Sequence, residues 1–172
     1  IRNLSSRSGD ASEEAIRRGA LSAPELVAHA VSVLGTGPTA WAVEASARAV
    51  DHVRERERSG GFPTASSGRV GQASEAAFLH LVIALAERGE GASAAEVLPP
   101  DLVGVVREAV RQALPLDVLL NRIWAIHTIT RDEMFTALQE NVAPEQQAAA
   151  MREVGDAMSD YAQVHARRVS LA

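Results

Sequence analysis

Every turn signal in this chain separates lengths that suit a helix, and no stretch alternates β-branched with polar residues as a half-buried strand must. That punctuation confines the chain to an all-α fold, a single-domain helical bundle with a long C-terminal helix. Residues 1–11, IRNLSSRSGDA, are small and polar with no period able to bury a face, and they predict a flexible N-terminus. Residues 12–172 form the helical domain. Ser12 through Gly19 predicts a short helix. Ser22-Ala-Pro-Glu25 reads as a capping box with Pro early in the next helix, which runs to Leu34 and stops at Gly35. After the Gly35-Thr-Gly-Pro38 turn, a long segment opens at about Thr39. It carries Trp41, Ala45, Ala49 and Val53 on one face and breaks at Gly60-Gly61.

Residues 59–73, SGGFPTASSGRVGQA, read as one substantial loop, with Phe62-Pro63 as an apolar pin. Ser74 starts an apolar helix to about Arg88, ended by Gly89 and carrying Phe78, Leu81, Val82 and Leu85. Pro99-Pro100-Asp101 opens a helix to about Ala113. Leu114-Pro115-Leu116 bends the chain into its longest clear segment, about 116–141, and Ala143-Pro144-Glu145 begins the last helix. No repeat of fixed period or shift in composition divides the chain.

The chain has 172 residues, a length that buries a core without covalent staples. It contains no cysteine, which excludes disulfides and cysteine-ligated zinc or iron–sulfur centres. The longest apolar run, Ala76 to Ala86, holds His80 and falls well short of the ~20 residues that span a bilayer. A soluble, cytoplasmic chain with no membrane partner is expected. Its start at Ile1, with no signal-peptide pattern, suggests a piece of a longer protein. The net charge is −5 and the richest basic run, Arg54-Glu-Arg-Glu-Arg58, is interleaved with Glu, so the chain itself is expected to bind no nucleic acid.

Chemistry, if any, would rest on the histidines at 29, 52, 80, 127 and 165. None shares the His-Glu-x-x-His or Glu-x-x-His spacing of helical metal sites, and no cofactor or metal is implied. His127 lies on the stripe Leu116, Leu120, Ile123, His127, Thr130, Met134, Leu138, whose spacing is that of a buried helix face. Two readings stay open. It is either a core histidine bonded to a neighbouring helix, or the polar anchor of a ligand cavity with Trp124 and Arg131 on adjoining faces. His80, within its own apolar helix, invites the same pair of readings. A haem or metal sensor, or a small helical enzyme using His127 or His80, is the alternative. Against haem stands the short list of aromatics: Trp41, Phe62, Phe78, Trp124, Phe135 and Tyr161.

The final helix spaces Met151, Val154, Met158, Tyr161, His165 and Arg168 at intervals of three and four, the a/d pattern of a heptad. It reads either as an amphipathic helix closing the bundle or as a dimer-forming stalk. The stalk predicts a homodimer with Met151, Val154, Met158 and Tyr161 at its seam.

The segment Ala113-Leu-Pro-Leu-Asp-Val-Leu-Leu120, followed by Arg122-Ile-Trp124-Ala-Ile-His127-Thr128, resembles the N-terminal helical domain of PucR/CdaR-type bacterial transcriptional regulators, itself similar to the N-terminal domain of the stressosome RsbR proteins. The resemblance covers about residues 20–170, with Ala113 where that family often has Gly. It implies a non-enzymatic module that senses a signal, with a small-molecule effector as a candidate partner, and dimerises. DNA would be bound through a C-terminal domain outside this chain. It also implies a globin-like arrangement that binds no haem, and it carries no catalytic residues.

Overall fold

The computed structural model describes residues 12–60, 67–87, 104, 107, 111 and 115–170. Among them there is no strand, and the long helices run in the order α1 (Glu13–Gly19), α2 (Pro24–Leu34), α3 (Thr36–Gly60), α4 (Ser67–Glu87), α5 (Leu116–Asn141) and α6 (Pro144–Ser170). The all-α bundle expected from the punctuation is therefore the fold, and α6 is its long closing helix. No helix among the described residues is long and apolar enough to cross a membrane.

Local chemistry sets most of the boundaries. Ser12 caps α1, its hydroxyl accepting the Ala15 N–H at 3.2 Å, with acidic residues in the first turn and basic ones in the last to complement the helix dipole. Gly35 ends α2 in the left-handed region at φ 88°, where a side chain would be strained. Proline occupies the first turn of α2 and of α6, where its missing N–H has no partner to lose.

Three expectations about boundaries are corrected. Ser22 does not cap α2. The N-cap is Ala23, and no side chain bonds there. The reason is Glu75 on α4, 2% exposed, whose carboxylate accepts Leu21 N–H at 2.9 and 3.1 Å and Ser22 N–H at 2.8 Å. With its backbone held there, Ser22 is buried, and its hydroxyl has no hydrogen-bond partner among the described residues. Second, α3 begins at Thr36, ahead of Thr39, because Pro38 fits a first turn and the Thr39 hydroxyl donates to Gly35 O at 2.7 Å.

Third, most of the expected loop 59–73 is helix. α3 persists to Gly60 and α4 starts at Ser67, so Gly68 and Gly71 are helical. Packing outweighs their poor propensity. Val70 and Ala73 join Leu119, Leu120 and Ile123 of α5 in a small apolar cluster. At Gly71 an added Cβ would sit 3.0 Å from Leu21 Cδ1, so the chain between α1 and α2 passes close over α4 there. Phe62-Pro63 and residues 1–11 lie outside the described residues, as does most of the helix expected over 101–113.

The main core joins side chains of all six helices, including Val27, Trp41, Leu79, Val82, Met134 and Met158. Trp41 and Phe78 pack with ring centroids 5.6 Å apart and planes tilted by 51°. The face read from Trp41, Ala45, Ala49 and Val53 is buried throughout. α3 is also tied to α5 by a forked ion pair, Arg48 Nη2 and Nε donating to Glu133 at 2.6 and 3.1 Å. Beyond that pair, α5 and α6 pack on each other and on α3 and α4, leaving a gap where α4, α5 and α6 meet.

Candidate functional site

The gap is a half-enclosed cavity of about 70 Å³. α4 contributes Ala77, Phe78 and Leu81 to its wall, α5 contributes Ile123 and Ile126, and α6 contributes Ala162. Polar atoms enter from His127 and Thr130 on α5, Tyr161 on α6 and Ser74 on α4.

His127 faces this cavity from the buried stripe of α5. Its Nε2 lies 2.7 Å from Met158 O on α6. A carbonyl oxygen can only accept, so Nε2 carries the proton and, in the neutral ring, Nδ1 is left as an acceptor. The Thr130 hydroxyl donates to Ile126 O and His127 O, both at 3.0 Å. The Tyr161 hydroxyl donates across to Ala77 O of α4 at 2.9 Å. Burial pushes its phenol pKa up, so it stays protonated at ordinary pH.

Burial also pushes the His127 imidazole below its usual pKa. The hydrogen bond to Met158 opposes that shift, and the nearby Arg131 charge adds to it. The folded state thus binds this proton less well than the unfolded chain, whose imidazole titrates near 6.5. The neutral ring's stabilisation is complete above that pH and falls away as pH drops through it toward the folded value. Urea midpoints of wild type and His127→Gln, whose amide can donate to Met158 O without titrating, should diverge between about pH 7 and pH 5, with wild type losing more. Parallel profiles would mean that His127 does not carry this dependence.

Of the other expected site residues, Trp124 does lie beside His127, but Trp124, Arg131 and His80 are all absent from the cavity wall. Trp124 is 46% exposed and meets His127 edge-on at 6.2 Å between centroids, outside the cavity wall. Arg131 is exposed too, its guanidinium 5.9 Å from the Phe135 ring centroid and 3.6 Å from Asp132. His80 is half-buried on α4 and does not line the cavity. Both flanking residues were expected on faces adjoining that of His127, and there the helical turn carries them toward solvent and out of the cavity wall. Sequence reasoning missed Tyr161 as a cavity residue; the signal was a hydroxyl on an apolar stripe, which needs a partner when buried.

The expected dimer seam is also corrected. Val154, Met158 and Tyr161 are 5%, 0% and 4% exposed within a single chain, and Met151 is half-buried. Val154, Met158 and Tyr161 pack within the chain's own core, so these three side chains are not available to a second copy. The side chains of His165 and Arg168 lie outside the described residues.

Among the described residues no three His, Asp or Glu side chains are grouped to hold a metal ion. The cavity is also far below the roughly 300–1,000 Å³ of ordinary cofactor sites. Compared with known proteins, the chain matches no family model, no curated protein and no solved structure.

Proposed function

We propose that this chain is a non-enzymatic, cytoplasmic sensing and dimerisation module of a bacterial transcriptional regulator, with a small molecule read in the cavity beside His127. One observation carries the reading: the cavity wall is bonded directly to α6, through His127 to Met158 O and through Tyr161 to Ala77 O. A molecule seated there would touch both residues and bias how α6 docks. That is how a ligand with unequal affinity for two arrangements shifts a population. The likeness of the segment from Ala113 to Thr128 to PucR/CdaR-type regulators supplies the regulatory context.

A non-enzymatic role is favoured by the wall itself. Its titratable groups among the described residues are His127 and Tyr161, and both bond to backbone carbonyls. Dimerisation would use surface other than the buried face of α6.

The test is amide mapping of the labelled protein with two small ring probes, furan and pyrrole. Shifts are expected at Ile126, Thr130 and Tyr161 and onward along α6. Sedimentation of the same sample should give a dimer. At ~50 mM salt, where phosphate contacts are strongest, duplex DNA should not be shifted. Failure of both probes to move any cavity amide would overturn the sensing role. A monomer in sedimentation would overturn the dimer.

A further inference from the structure

We infer that the cavity selects a small uncharged molecule with a hydrogen-bond donor on an apolar body, and that His127 Nδ1 accepts that bond. This rests on the sensing role proposed above and adds the chemical class of the ligand.

The inference follows from where the wall's protons already point. The Nε2 proton of His127 is held by Met158 O, the Thr130 proton by the Ile126 and His127 carbonyls, and the Tyr161 proton by Ala77 O. His127 lines the cavity, and the polar atom its neutral ring has left for a ligand, Nδ1, offers a lone pair. Among the described residues no donor is paired with Nδ1. Ser74 keeps a rotatable hydroxyl that donates or accepts equally well and favours neither class. An occupant that brings only acceptors would leave Nδ1 desolvated and unpaired, which is the costly outcome for a buried polar atom.

Charge and size narrow the class further. The rest of the wall is apolar, and Arg131 points outside it, so an anion meets no cationic donor and a cation meets no carboxylate. Either would lose its hydration without repayment. An engineered apolar cavity of about 150 Å³ holds benzene. At about 70 Å³ and half-enclosed, this one sets an upper limit near a five-membered ring or a short branched chain.

Pyrrole and furan separate the possibilities, since they share ring size and shape while pyrrole offers an N–H and furan an ether oxygen. Each is titrated into the full chain, followed at the amides of Ile126, Thr130 and Tyr161 and at the ring nitrogens of His127. Pyrrole is expected to bind about fivefold to tenfold tighter, the ratio given by one net hydrogen bond. It should shift the Nδ1 resonance, and furan should not. Equal affinities, or tighter furan, overturn donor selection while leaving a ligand cavity in place. Tighter pyrrole with an unmoved Nδ1 overturns His127 as the acceptor. If neither probe binds, the sensing role falls and this inference falls with it.

Discussion

Met158→Glu should cost about 2.5–6 kcal/mol, a large share of the chain's stability. Met158 is 0% exposed within one chain. The substitution removes about 1.5–3 kcal/mol of apolar burial and forces a carboxyl into a site with no partner, adding about 1–3 kcal/mol or more. A loss of that size approaches the whole stability of an ordinary domain, about 5–15 kcal/mol. Urea unfolding followed by circular dichroism measures it, with Trp124→Ala as the control. Trp124 is half in water, so its loss should stay near ~0.5 kcal/mol, as surface substitutions do. The result also decides between the two readings of the last helix. A dimer seam predicts that Met158→Glu yields a monomer as stable as wild type, and an undiminished urea midpoint would overturn the intramolecular packing described for α6.

The second large effect is expected at Glu75. Glu75→Ala removes the acceptor for the Leu21 and Ser22 amides, and at about 1–3 kcal/mol for each donor left unpaired the loss is about 2–6 kcal/mol. Glu75→Gln keeps a carbonyl oxygen in nearly the same place and should lose much less. Equal losses for the two variants would show that volume, not the bonds to Leu21 and Ser22, is what the site requires. Hydrogen exchange gives an independent readout. Although Leu21 and Ser22 lie outside any helix, their amides should exchange slowly in wild type and fast in Glu75→Ala.

What the sequence made legible was whatever is decided within a few residues. Ser12, Gly35 and Pro144 act on the backbone beside them, so the ends they mark are where local chemistry puts them. The α3 and α5 stripes were readable because helical periodicity alone sets which side faces inward, and Thr130, Met134 and Leu138 are buried as that stripe requires. Long-range contacts defeated the rest. Nothing near Ser22 reveals that Glu75, 53 residues on, will take its amide and cancel the capping box. Gly68 and Gly71 look like loop residues, and only the packing of Val70 and Ala73 against Leu119, Leu120 and Ile123 shows why the helix runs through this stretch. At the candidate site, periodicity put His127 on the inward face but could not name Met158 O as its partner. The a/d spacing of α6 was real, yet spacing does not say whether the surface it meets belongs to the same chain or to another.

The three contacts that stitch distant helices around Glu75, His127 and Tyr161 each end on main-chain atoms: the amides of residues 21 and 22, the carbonyl of 158 and the carbonyl of 77. A main-chain carbonyl persists whatever side chain is attached, and a main-chain amide persists for every residue but proline. Evolutionary drift at positions 21, 77 and 158 is therefore constrained by packing volume and not by pairing chemistry, and compensating double substitutions with 75, 127 or 161 should not arise. In a set of diverged homologues these contacts would leave no correlated pairs. Their trace would instead be three separate positions, each retaining its polar group alone.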